Sequence, residues 1–226
     1  MASRVWAKLK KLNLKTIYFN FHYFPFKQAI KLPVFISSNS VLLNCKGKVS
    51  INEQIKTGMI ELGYGHVGNF DKFHSRFMWD VTGEVIFEKN AFIGHGSRIR
   101  VLEKGRISFG ENFVTTAEST FLSKSQINIG KDCLFSWEVL VMDTDFHPIF
   151  DEAGTWLNQD TPVFIGDKVW VGCRSMILKG ASIPSNSIIA AGTTVTKKLE
   201  GENLVFGGAP VGPLKTFTSW SLSAKE

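Results

Sequence analysis

From Ile165 onward, apolar side chains fall on every sixth position: Ile165, Val171, Ile177, Ile183, Ile189 and Val195. Small residues follow many of them, as in "IGDKVW", "VGCRSM" and "IAAGTT". The same beat runs earlier in three blocks separated by extra residues: Phe87, Ile93, Ile99; then Phe109, Thr115, Phe121, Ile127; then Ile129, Phe135, Val141. A period of six fits neither a helix at 3.6 nor an alternating strand at 2, so the unit is a short strand plus a turn. Three units make one triangular coil of about 18 residues, with the aliphatic side chain inward and a small residue at each corner. Stacked about 4.8 Å apart, roughly seven or eight such coils give a prism about 35–40 Å long, a parallel β-helix.

The beat fails at one place. Between Val141 and Ile165 the inward positions would hold His147, Ala153 and Gln159, with Pro148, Gly154 and Pro162 nearby. The numbering stays a multiple of six, but the contents predict a loop over 142–164 that leaves the prism wall. Long irregular loops on a rigid solenoid usually carry function. The expected organisation is therefore an arm over 1–48, a β-helix over 49–210 with that loop, and a tail over 211–226.

These residues carry two resemblances. The hexads, over roughly 85–210, resemble those of the left-handed β-helix, the exception to right-handed crossovers. The fold class expected is thus an all-β solenoid, a left-handed parallel β-helix with a protruding loop, a basic aromatic N-terminal arm and a short C-terminal tail. "DTDFHPI", a subsequent "W-x-N" and "PVFIGDKVWVGCRSMILKGASIPSNSIIAAGTTVTK" resemble the hexapeptide-repeat acyltransferases, in the branch of galactoside, maltose, capsule and O-antigen O-acetyltransferases. "GGAP" at 207–210 resembles that family's closing "GxPA" turn, with Lys215 standing in for its basic ending.

The resemblance implies a role for each of these positions. His147 matches the family's catalytic base. A sugar hydroxyl ionises too weakly near neutrality, so an imidazole with pKa about 6.5 takes its proton as the oxygen attacks a thioester. The other ring nitrogen then needs a hydrogen-bond acceptor; Asp145 or Asp143 is in reach by sequence, Asp145 preferred, and a backbone carbonyl would serve equally. Asp143 and Trp156 are further expected to border the acceptor. On the donor side, the resemblance places Trp170 beside the thioester of acetyl-CoA and the Cys173 amide at its carbonyl oxygen. It leaves room for pantetheine at Ala190, Ala191 and Gly192, and sets Thr196, Lys197 and Lys215 near the nucleotide. Acetyl-CoA is the donor substrate, no metal is required, and the assembly implied is a homotrimer. The acceptor implied is a sugar hydroxyl of a cell-surface polysaccharide or of its lipid-linked or nucleotide-linked precursor. An amino-sugar N-acetyltransferase is the alternative within the enzyme class, and a non-catalytic solenoid scaffold the alternative outside it.

Composition narrows the rest. The three cysteines, Cys45, Cys133 and Cys173, are scattered and odd in number, which points to reduced thiols rather than a disulfide frame or structural zinc. No apolar run is long enough to span a bilayer and none resembles a secretion signal, so a cytoplasmic protein, free or peripheral to the inner face of the cell membrane, is expected. The formal charge of +6 sits at the front: residues 1–52 hold nine Lys/Arg and no Asp or Glu. Val5, Leu9 and Leu12 share a helical face beside Trp6, and "IYFNFHYFPFKQAIKLPVFI" is aromatic-rich. Two readings of residues 3–36 stand: a cap on the open end of the solenoid, or a contact with the membrane surface. Nucleic acid is not an expected partner, since no binding motif occurs.

Overall fold

A computed structural model describes residues 11–71 and 73–222. The stripe expected on Val5, Trp6 and Leu9 lies outside the described residues.

The strands stack into three parallel walls. In the first wall, the strand Val34–Ile36 is followed upward by strands from successive coils, ending in Leu204–Gly207 and an antiparallel partner, Gly212–Thr216. The second and third walls hold seven and six strands. The walls thus take in Val34–Ile36 and Val41–Asn44, ahead of residue 49.

Register shows why the beat is strict late and loose early. Phe135, Val171 and Ile189 are consecutive inward partners of the first wall; the second wall stacks Phe121, Val141, Ile177 and Val195, and the third Phe109, Ile129, Ile165 and Ile183. All are buried. Ile93 and Thr115 are one coil apart but 22 positions apart, whereas Val171 and Ile189 are separated by 18. The longer coils enclose rings: Phe109 packs on Phe113 at 4.9 Å and on Phe87 and Phe121 at 5.4 Å, and Phe113 on Phe135 at 5.2 Å. The inward strand positions of the 18-residue coils are all aliphatic, and these side chains fill a narrower triangle at normal packing density. Corners are tight: a Cβ on Gly110 would stand 2.3 Å from the Gly130 carbonyl carbon, and one on Gly130 2.6 Å from that of Gly166.

An open solenoid end leaves a row of unpaired backbone groups. Here a helix supplies the missing partners. Helix α1 (Leu14–Tyr23) begins at Asn13, whose Oδ1 accepts from the Lys15 and Thr16 amides, and stops before Pro25, which disfavours helical geometry at Phe24. From α1, Asn20 Nδ2 donates to the Val34 carbonyl (2.7 Å) and its Oδ1 accepts from the Val34 amide (3.1 Å). Thr16 Oγ1 does the same for both groups of Ile36, at 3.1 and 3.0 Å. Helix α1 thus covers the outer edge of the strand Val34–Ile36.

Candidate active site

The interruption occupies the corner between the second and third walls, after the strand Leu140–Met142 and before Val163–Ile165. It is ordered by side chains at each level. At its root, Asp143 is fully buried and accepts from Ser123 Oγ (2.6 Å), the Lys124 amide (2.8 Å) and the Ser125 amide (3.1 Å). Above it, Asp145 Oδ2 takes the Lys179 ammonium at 2.6 Å and Asn158 Nδ2 at 2.9 Å. That ammonium, with the Asn158 amide group, holds the Asp145 carboxyl below its ordinary range. Lys179 also donates to the Asn158 and Gln159 carbonyls. Lys124 pairs with Asp160 at 3.1 Å and lies 6.0 Å over the Trp156 ring, and the Arg100 guanidinium lies 5.8 Å from the Phe146 ring.

The tip is a small hairpin. Phe150 and Trp156 bridge antiparallel, and Asp151 Oδ1 accepts from the Ala153 and Thr155 amides around Gly154, whose φ is +77°. Asn158 is its hub: Oδ1 accepts from the Ile149 amide (2.6 Å) and Trp156 Nε1 (2.9 Å), while Nδ2 also donates to the His147 carbonyl. His147 is turned out by a three-residue bend in which its amide donates to the Asp145 carbonyl at 2.7 Å across Phe146, a bulky residue at φ +62°. The imidazole is exposed, and among the described residues nothing hydrogen-bonds its ring.

Two expectations are corrected here. Asp145 does not orient the His147 ring, because its carboxylate is taken by Lys179 and Asn158; it positions His147 through its backbone carbonyl. Asp143 does not border an acceptor, because it has no exposed surface and its oxygens are used at the root of the loop. Trp156 does reach the surface, 38% exposed. Asn158 and Lys179 were missed by the sequence reading, although the "W-x-N" signal contains Asn158 and Lys179 interrupts the outward small residues of "ILKGAS".

The donor-side residues gather elsewhere. Trp170 stands on the first wall, its Nε1 donating to Ser136 Oγ (3.2 Å) and its ring 6.3 Å from Trp220 of the tail. Cys173 lies at the corner between first and second walls, directly below Ala190, Ala191 and Gly192, with the Gly192 amide donating to the Cys173 carbonyl at 2.9 Å. Among the described residues the Cys173 amide has no acceptor. Lys215 is exposed on the first wall beside Val205. Thr196 and Lys197 fall at the corner between second and third walls, on the loop's side. One chain therefore keeps the loop and most donor-side residues on two different edges of the prism. Among the described residues no group of three or more His, Cys, Asp or Glu could hold a metal ion.

The stacked hexads and the projecting loop define a solenoid of the hexapeptide transferases, and residues 162–197 match the family model "Bacterial transferase hexapeptide (six repeats)". The chain belongs to the hexapeptide-repeat acyltransferases, with their left-handed β-helix. It is 29% identical over 170 residues to a galactoside O-acetyltransferase of Escherichia coli K12, covering 74% of this chain and 79% of that one. It is 42% identical over 64 residues to a polysialic acid O-acetyltransferase of Neisseria meningitidis, covering 28% and 30%. The spans shared with relatives thus run from under a third of their length to about four-fifths. The crystal structure of a polySia-specific acetyltransferase superposes with a TM-score of 0.51 at 23% identity, over 85% of this chain and 81% of the other.

Proposed function

We propose that the chain transfers an acetyl group from acetyl-CoA directly to a sugar hydroxyl of a cell-surface glycan or its precursor, with His147 as general base. The observation that carries this reading is an imidazole left exposed and unencumbered on a loop that is otherwise strapped at every level. Strapping fixes where the base stands, and exposure leaves both ring nitrogens for substrate and solvent. The hydroxyl proton passes to the imidazole as the oxygen bonds to the acetyl carbonyl carbon; the carbon–sulfur bond then breaks, and the imidazolium returns its proton to the departing CoA thiolate, which leaves as the thiol. The Cys173 amide, without an acceptor among the described residues, is suited to donate a hydrogen bond to the thioester oxygen as negative charge develops on it. Trp170 and the small corner at residues 190–192 would flank the pantetheine arm, and Lys215 the nucleotide.

Loop and donor residues on separate edges support an assembly in which the loop edge of one copy meets the donor edge of the next. Threefold closure of a triangular prism satisfies that pairing three times, the homotrimer implied by the family. Thr196 and Lys197, on the loop edge, would then face the neighbour's donor. The galactoside and polysialic acid substrates in the relatives' names favour a glycan hydroxyl over an amine.

The test is thiol release from acetyl-CoA against a panel of glycans, with the product linkage read by mass spectrometry. His147→Ala should keep its fold by circular dichroism and lose about 10²–10⁴-fold in turnover. Near-normal turnover in a folded variant, or products acetylated only on nitrogen, would overturn the reading.

A further inference from the structure

Helix α1 is amphipathic in the reverse of the usual sense. Its inner face caps the solenoid largely through the polar side chains Thr16 and Asn20, with Phe19 between them. Its outer face carries Leu14, Ile17, Tyr18 and Phe21, spaced i, i+3, i+4, i+7, and these are 84%, 39%, 52% and 47% exposed. Phe26 (70%) and Ile30 (54%) extend the patch, with the Phe26 ring edge-on to Phe21 at 6.0 Å. Capping makes no use of these side chains, since the side-chain hydrogen bonds to Val34 and Ile36 come from Thr16, Asn20, the N-cap Asn13 and Tyr64. A continuous apolar surface of this kind marks a contact with something.

Charge identifies the occupant. Residues 1–52 hold nine Lys/Arg without one acid. Exposed Lys27 and Lys31 flank the apolar patch, while Glu61, the carboxylate that reaches this cap, is already bound to Lys11 at 2.6 Å. A second copy of the chain laid on this face would bring lysines against lysines. An apolar stripe flanked by exposed lysines matches an anionic phospholipid surface: rings and aliphatic side chains enter the headgroup boundary and Lys27 and Lys31 meet the phosphates. We propose that the cap formed by α1 and residues 24–31 docks the protein peripherally on anionic membranes. This reading uses the cap alone and stands or falls separately from the acetyl-transfer reading.

Co-sedimentation of the full chain with vesicles tests it, comparing equal parts phosphatidylglycerol and phosphatidylcholine with phosphatidylcholine alone. The wild-type protein should pellet with the anionic vesicles, release as salt rises, and stay in solution with the neutral ones. Phe21→Glu combined with Phe26→Glu, both on the exposed face, should lower partitioning on the order of 100-fold with an unchanged melting curve. If those glutamates disturb folding, Lys27→Glu with Lys31→Glu, exposed lysines at the edge of the stripe, should still weaken anionic binding by on the order of 10-fold. No pelleting at low salt, or equal pelleting with neutral vesicles, overturns the proposal. So does a fall in oligomer mass by light scattering in the Phe variant, which would make the patch an interface between copies.

Discussion

Replacing Asp143 with alanine tests whether the loop is an extension of the folded core or an appendage. The carboxylate is fully buried and accepts three hydrogen bonds, from Ser123 Oγ and the Lys124 and Ser125 amides. Truncation leaves the Lys124 and Ser125 amides without this acceptor at the root of the loop, while Ser123 Oγ keeps the Arg106 carbonyl at 3.1 Å. A bond to a charged acceptor contributes about 1.5–3 kcal/mol, and a buried donor left unmet costs about 1–3 kcal/mol. The two amides are only partly buried, so water can replace part of what they lose. The expected loss is therefore about 3–5 kcal/mol, below the simple sum of three. Asp145→Ala is the control: its partner Lys179 keeps the Asn158 and Gln159 carbonyls, and the partly exposed pair should contribute about 1 kcal/mol or less.

The assay is urea denaturation followed by circular dichroism, with Ser123→Ala and the double variant completing a cycle. Because solenoids can unfold in segments, two probes should be followed. Coupling between Ser123 and Asp143 should reach about 1 kcal/mol or more, as expected of neighbours in one network. An Asp143→Ala loss below about 1 kcal/mol, or equal to that of Asp145→Ala, would refute the idea that Asp143 roots the loop.

Lys179→Met should raise the rate of limited proteolysis within residues 148–157 several-fold while leaving global stability within about 1 kcal/mol; unchanged cleavage would mean the other straps suffice. The Lys179 contact depresses the Asp145 carboxyl below its ordinary value of 3.8, so the stabilisation is present above that value and is lost as pH falls through the depressed folded value. Proteolytic protection of the loop should therefore be flat from neutral pH down to about 5 and vanish only in stronger acid. Burial pushes the Cys133 thiol up to about 12, whereas Cys45 and Cys173 are partly exposed. Alkylation of the native protein at about pH 8 should spare Cys133 until it unfolds, as read by peptide mass spectrometry.

The solenoid was legible because its signal is carried by single inward positions repeated many times. Val171 and Ile189 are partners one coil apart and read as such from spacing alone. The early coils were harder to phase, since enclosing Phe109, Phe113 and Phe121 requires longer turns. Within the site, His147 was legible as the residue where the pattern fails, but its partners were not. Asp143 and Asp145 are two positions apart in one motif, and spacing cannot tell the one that points into the wall from the one that meets a lysine 34 residues downstream.

The loop also hides in the count. Phe135 and Val171 are consecutive inward partners of the first wall, yet 36 positions separate them, two coil lengths for one coil of rise. One coil's worth of chain has been taken out of the stack without disturbing the sixfold phase of the later hexads, so Ile165 still packs on Ile129 and Ile183. The stack above the loop is therefore unaffected by its presence, and the loop depends on the stack only through a few side-chain anchors. Its position is as fixed as the wall where Asp143 is buried in it, and its ring at His147 is as free as solvent allows. The general base proposed at His147 needs both properties, a fixed place and an open ring, and that division falls between residues 143 and 147.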